Sequence, residues 1–395
     1  MNLNRGRALT SIPGPSVIPD RVLAAMHRAM PNIYEGELIE TGYSVFRDLP
    51  GIAGTKGKVF MPISNGHGAW EMALTNTLSR GDVVLVLGTG RFAPGWGEMA
   101  AKLGCEVETI DFGDSASADP TRLEDHLRAD DGHRIKAILV VQIDTASSVQ
   151  NDIAALRAAI DAAGHPALLM VDCVASLGCV PYHMDAWGVD VTVGGSQKGL
   201  MVPPGLGIVW ASDKAIAAHK HAELVTPYWD WTGRMAEDAF YQKFAGTAPI
   251  QHIYAMRTAL DMLLEEGLEN VWARHAVFAD AVRAAVAAWG TQGGLSFNIL
   301  DPASRANSTT TVLTGAIDDE RLRTVCDRQA GLTLGRGLGS FLGRAFRIGH
   351  MGHLNPPMVL GTLGTIEAVL HEQGAPMGGS GVAAAAKVIG AAFDI

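Results

Sequence analysis

Cysteine is scarce in this chain of 395 residues, which holds four: Cys105, Cys173, Cys179 and Cys326. None stands in a CxxC pair, so neither a zinc site nor a disulfide framework is expected, and the four read as small, reduced core residues. Long apolar runs are also missing, and with them any segment able to cross a bilayer. Basic runs are absent too. The 31 Lys and Arg stand against 41 Asp and Glu, a formal net charge of −10, which argues against a nucleic-acid footprint or a polyanionic partner. The opening MNLNRGRALTSIPGP lacks the apolar core of a signal peptide, and the closing AAFDI is not a peroxisomal address. The expectation is a cytoplasmic protein with no metal, membrane or nucleic-acid partner.

What is present is an α/β composition, 48% hydrophobic and 18% charged, with 46 glycines. Apolar, β-rich runs at 58–63, 82–87, 106–110, 135–141, 167–171, 189–193 and 205–210 alternate with helical patterns, which predicts a mostly parallel sheet covered by helices. Two long amphipathic patterns, 250–266 and 269–289, are followed by a glycine-rich turn at 290–294 that predicts a boundary. The expected organisation is an N-terminal extension (1–12), a large domain (13–290) and a smaller C-terminal α+β domain (291–395). No internal repeat is evident.

Chemistry concentrates in VDVTVGGSQKGLMVPPGLG, residues 189–207, where Lys198 follows a buried strand and the break Gly194-Gly195. A lysine there is costly unless its charge is solvated, paired or neutralised, and desolvation lowers its pKa toward an amine fit for Schiff-base chemistry. Upstream, the apolar run 167–171 ends in Asp172, at the carboxyl edge of a strand where open α/β sheets bind ligands. One short crossover separates the two residues, so they reach neighbouring strand ends. A carboxylate facing such a lysine suggests a pyridine nitrogen between them, as in sites for pyridoxal 5'-phosphate (PLP).

Other stretches add to this. Asn65, Gly66 and His67 lie in a glycine turn opening a helix, a ready anion site. The GTGRFA stretch, 88–93, follows a strand, and Asp111 ends the next one, so much of a dinucleotide fingerprint is satisfied and an NAD(P)-dependent oxidoreductase is an alternative. Against it, the stretch is not in the first βα unit, and Pro94 alters the helix start. Arg347 sits inside a strand pattern, a poor place for a guanidinium unless it meets an anion, and its planar fork suits a carboxylate. His350 and His353, close by, read as packed or as lining the mouth of the site. YEGELIE, 34–40, carries Glu35, Glu37 and Glu40; it is either a solvated loop or a wall that favours a donor with an extra ammonium or without a second carboxylate. The aromatic-rich segment 223–245 reads as a lid or a subunit interface.

VDCVASLG, WGVDVTVGGSQKGLMVPPGL and FRIGHMG resemble the class V aminotransferases of fold type I, in particular the serine, alanine and aspartate–glyoxylate group, and the resemblance extends from SIPGPSVIP to GSGVAAA. It implies a large domain with a mostly parallel, seven-stranded-type sheet, a smaller C-terminal α+β domain, and PLP held on Lys198. By the same resemblance Asp172 meets the pyridine nitrogen, Phe92 and Val174 flank the ring, and Thr145 bonds its phenolate side. Asn65, Gly66, His67 and Gln197 hold the phosphate, joined by Thr247 from the other subunit of a homodimer with shared active sites. Arg347 clamps the substrate α-carboxylate, with Gly14 and Glu35 beside the substrate. The chain departs from the family pattern at Asp144 (usually Glu), Ser148 (usually Gly), Phe244 (usually Tyr) and YEGELIE, where a basic motif is common.

The implied activity is transamination between a small L-amino acid (serine, alanine or aspartate) and a 2-oxo acid, glyoxylate first. A pyridoxamine–pyruvate-type or other amine–2-oxo acid aminotransferase is the alternative within the family, and the phosphate loop speaks against it. A cysteine desulfurase would need a mobile cysteine and usually a histidine beside the lysine, where Gln197 stands. A PLP-binding regulatory module would carry an appended domain, and none is evident.

Overall fold

The computed structural model describes residues 3–236, 238–290 and 294–393. A first strand, β1 (Leu9–Ser11), is followed by β2 (Lys58–Phe60), β3 (Ile63–Ser64), β4 (Val83–Gly88), β5 (Glu106–Asp111), β6 (Ile135–Val141), β7 (Leu168–Asp172), β8 (Val191–Gly195) and β9 (Gly205–Ala211). Then come β10 (Ser296–Phe297), β11 (Thr309–Leu313), β12 (Leu332–Arg336) and β13 (Ala345–Gly349). They form an eight-stranded sheet, ordered β2-β9-β8-β7-β6-β4-β5 with β3 paired to β9, and a five-stranded sheet, ordered β1-β12-β13-β11-β10.

The centre of the large sheet is parallel: β4 pairs with β5 and β6, β6 with β7, and β7 with β8. β9 turns back antiparallel to β8. Beyond β4 the chain adds β5 on one side and β6 on the other, so β4 and β6 bracket a switch point, where a crevice opens at the carboxyl ends. Every residue of β4 and β7 is buried. Helices cover both faces, which is why these strands read as continuous apolar runs. Side chains alternate between two cores, Leu85, Leu87, Leu169 and Val171 on one face and Val84, Val86, Met170, Trp70 and Trp96 on the other. Burying each such side chain contributes about 1.5–3 kcal/mol.

The helices that position the crevice are α1 (Asp20–Met26), α2 (Glu37–Ala53), α3 (Gly66–Thr75), α4 (Phe92–Leu103), α5 (Pro120–Arg128) and α6 (Ile153–Ala162). Three differ from expectation. Most of YEGELIE is not a loop: α2 starts at Glu37, buries Leu38, Val45, Leu49 and Ile52, and carries Glu37 and Glu40 in its first turn, where the helix dipole favours them. α3 starts inside the predicted glycine turn, at Gly66, because Asn65 caps it, a contribution of about 1 kcal/mol. α4 starts at Phe92, with Pro94 inside the first turn, where a proline is tolerated.

The N-terminal segment is built into the C-terminal sheet, Leu9 pairing with Leu332 and Ser11 with Leu334 in parallel register. Helices Leu268–Trp289, Pro356–Glu372 and Gly381–Ala391 pack that sheet around Trp289, Phe346 and Leu363. The boundary predicted at 290–294 falls in part outside the described residues. Among the described residues, no helix is long and apolar enough to cross a membrane.

Candidate active site

The carboxyl ends of β4, β6, β7 and β8, with the N-terminus of α3, enclose a cavity of about 320 Å³. Of the twelve predicted site residues, nine line it: Gly14, Asn65, Gly66, His67, Phe92, Thr145, Asp172, Val174 and Gln197; Lys198, the thirteenth and catalytic candidate, lines it too. Arg347 stands behind Thr145. Thr247 and Glu35 are exposed and do not line the cavity.

Lys198 follows β8 by a short turn, and its Nζ donates to the Pro13 carbonyl. Burial pulls its pKa from 10.5 to about 8; the Arg347 charge adds to the fall, while Asp172 opposes it. A Cβ at residue 14 would collide with Cδ, Cε and Nζ of Lys198, and Gly14 has φ +95°, so a glycine is required for the lysine to pass.

Asp172 ends β7. Its Oδ1 accepts from Val174 N at 2.6 Å and its Oδ2 from the Trp70 indole at 2.8 Å. Burial pushes its pKa up to about 6, against those two hydrogen bonds and the Lys198 charge. No hydrogen bond or ion pair among the described residues joins Lys198 to Asp172; the cavity lies between them.

Asp144 is a buried carboxylate that accepts four backbone N–H bonds, from Arg91 and Phe92 at 2.8 Å each, Ala146 at 2.8 Å and Ser147 at 3.1 Å. Burial raises its pKa, and the four amides pull it back. It ties the start of α4, and with it Phe92, to the loop carrying Thr145. The dinucleotide alternative fails here: the Arg91 and Phe92 amides that a pyrophosphate would need are taken by Asp144, and a Cβ at Gly90 would collide with that carboxylate.

Arg347, buried in β13, donates through Nη1 to Thr145 O at 2.7 Å and through Nε to Arg336 O at 2.8 Å. No ion pair among the described residues engages it, and burial lowers its pKa to about 10. A buried guanidinium without a carboxylate suits an incoming anion. His350 is packed between Thr310 Oγ1 and Asn307 O, as expected, whereas His353 is exposed and outside the cavity. All four thiols are buried, and burial raises each pKa, to about 11 for Cys105 and about 12 for Cys179 and Cys326, so none offers the thiolate a desulfurase needs.

Two residues that the sequence reading left out are in the site. Trp70 lines the cavity and holds Asp172; it lies four residues after Gly66, on the same helix face, which is the signal that could have found it. Asp144, where the family pattern has Glu, is the tie between two cavity walls, a role that its place in the sequence does not signal.

The comparisons agree with this geometry. Residues 47–343 match the family described as Aminotransferase class-V. The chain belongs to that family. It is 40% identical over 392 residues to serine–glyoxylate aminotransferase of Methylorubrum extorquens, covering 97% of this chain and 96% of the relative. It is 40% identical over 382 residues to L-aspartate–glyoxylate aminotransferase of Paracoccus denitrificans, covering 95% and 94%. The crystal structure of pyridoxamine-pyruvate aminotransferase from Mesorhizobium loti superposes with a TM-score of 0.90 at 28% identity, covering 100% of both chains. The fold is therefore that of the fold type I aminotransferases, and the chain is a transaminase of a family that implies PLP.

The cavity of this aminotransferase fits that group. An amine and a carboxylate stand apart on its wall, Phe92 and Val174 give it apolar sides, and the Gln197 side chain, whose amide N–H groups suit a phosphate, lines it beside Lys198. At Gly66 a Cβ would lie 2.9 Å from Val174 Cγ2, so the glycine keeps the helix end open. One feature is unlike a bare anion cradle: Asn65 Oδ1 already accepts from His67 N at 3.0 Å and Gly68 N at 3.3 Å.

Proposed function

We propose that the chain transfers the amino group of a small L-amino acid, serine, alanine or aspartate, to glyoxylate, using PLP held on Lys198. The observation that carries this reading is the pairing of Lys198 with Asp172 across one cavity, an amine lowered to about 8 facing a buried carboxylate. The names of the relatives supply the substrates: serine–glyoxylate and L-aspartate–glyoxylate aminotransferase.

When bound, PLP supplies the electron sink for a carbanion. Asp172 holds a proton on the pyridine nitrogen. Asn65, Gly66, His67 and Gln197 bind the phosphate, while Phe92 and Val174 confine the ring and exclude water. Thr145 orients the ring's oxygen edge. Arg347 binds the substrate carboxylate and so orients Cα, a positioning contribution. Lys198 Nζ takes up the Cα proton and returns it as general base and acid. Thr247, exposed and outside the cavity, completes the phosphate site of a second subunit in a homodimer. The protein acts in the cytoplasm.

A specific observation favours a second reading. Because Asn65 occupies two amides at the start of α3, a cofactor phosphate must share them, which leaves room for pyridoxamine-type substrates. The test is formation of the 2-oxo acid from serine, alanine or aspartate, or of the aldehyde from pyridoxamine, with glyoxylate or pyruvate as acceptor, by the purified protein and by Lys198→Ala. Turnover by Lys198→Ala would sink the proposal, and turnover with pyridoxamine alone would select the second reading.

A further inference from the structure

We propose that Trp70 is a positioning residue whose indole N–H fixes the orientation of the Asp172 carboxylate. This rests on the reading of Asp172 as the partner of the pyridine nitrogen. The carboxylate has two protein donors, one per oxygen: Val174 N on Oδ1 at 2.6 Å and Trp70 Nε1 on Oδ2 at 2.8 Å. Two donors on two oxygens set the carboxylate plane, and the remaining lone pairs face the cavity.

The indole cannot swing away. It is buried, stacked on Trp96 with centroids 5.7 Å apart and an interplanar angle of 13°, and its ring centroid lies 4.6 Å from that of His67 and 6.4 Å, edge-on, from that of Phe92. Trp70 also sits one turn beyond Gly66 on α3, so a single rigid helix carries both the phosphate end and the group that aims Asp172. The neighbouring Trp96 supplies a control: its Nε1 is buried with no hydrogen-bond partner among the described residues, so it contributes packing without a hydrogen bond.

The charge environment makes the bond consequential. Asp172 faces Lys198 beyond β8, which favours its ionised form, and Asp144 beyond β6, which disfavours it; His67 of α3 lines the same cavity, and the Cys173 thiol follows Asp172 in the chain. Loss of the indole donor removes one of two hydrogen bonds that hold the carboxylate ionised, so the carboxylate protonates at higher pH.

The experiment is a titration of PLP-free protein with PLP across pH, followed by absorbance, for wild type, Trp70→Phe, Trp96→Phe, Asp172→Asn and the double variant Trp70→Phe/Asp172→Asn. Trp70→Phe should weaken PLP binding about tenfold and raise by about one unit the pH below which affinity falls. Trp96→Phe should leave both unchanged. In the Asp172→Asn background, Trp70→Phe should cost less than about twofold, because the amide no longer carries the charge that the indole holds in place. Wild-type affinity in Trp70→Phe, an equal loss in Trp96→Phe, or a full loss persisting in the double variant would each overturn the inference while leaving the role of Asp172 intact. Unchanged binding in Asp172→Asn would instead overturn the reading beneath it. A measurement on the unmutated chain guards against misfolding: the Trp70 indole N–H resonance should move when PLP binds, and a static resonance would refute the proposal.

Discussion

Asp144→Asn tests whether one carboxylate holds two walls of the site together. Four buried backbone donors converge on it, Arg91 N and Phe92 N on Oδ2 and Ala146 N and Ser147 N on Oδ1, at 2.8 to 3.1 Å. Asparagine keeps one acceptor oxygen and turns the other into an NH₂ group, which meets two N–H donors head on. Whichever way the amide flips, two buried donors lose their acceptor. Each unsatisfied buried donor costs about 1–3 kcal/mol, so the change should destabilise the protein by about 2–6 kcal/mol. Against a typical total of about 5–15 kcal/mol, that is a large share. Because Phe92 and Thr145 are anchored by the same carboxylate, PLP affinity should fall with stability. Urea unfolding gives the first quantity and PLP titration at low denaturant the second. A variant within about 0.5 kcal/mol of wild type, the range of an ordinary surface change, and with unchanged PLP affinity would refute the reasoning.

Three further outcomes are expected. The rate at which PLP-free protein captures PLP should rise with pH and level off above about 8, because the neutral amine of Lys198 is the reactive form and burial has lowered its pKa from 10.5; levelling nearer the ordinary value would contradict the desolvated lysine. Arg347→Ala should lower kcat/KM about 10- to 100-fold, the worth of charged hydrogen bonds, chiefly through KM, and Arg347→Lys should not restore it because the fork is lost; a fall confined to kcat would remove Arg347 from carboxylate binding. Gly14→Ala should prevent PLP capture without unfolding the chain, since its Cβ collides with the Lys198 side chain and φ +95° strains any other residue by about 1–2 kcal/mol; capture at the wild-type rate would show that the loop yields.

Lys198, Asp172 and Arg347 were legible in the sequence for a common reason. A lysine, a carboxylate and an arginine each interrupt or end an apolar strand, and a charge in that place needs a partner or a task. The alternation of strands and helices was legible because both faces of the sheet are covered, which writes the buried strands as apolar runs. α2 was missed because the acidic residues of YEGELIE drew the reading toward a loop, although Leu38, Val45, Leu49 and Ile52 already stood at helical spacing. Trp70 and Asp144 escaped for a different reason: the partners that give them meaning are 102 residues away for Trp70 and about fifty away for Asp144, on other strand ends. The GTGRFA stretch shows the converse. Its glycines and helix start describe a backbone that could bind a pyrophosphate, and the backbone formed as the pattern requires, with Gly90 at φ +145°. Whether those amides are available is settled by a different segment, which delivers the Asp144 carboxylate to them. A local motif therefore predicts which backbone groups point outward from a helix end, and the topology of the sheet decides whether a ligand or the protein itself receives them.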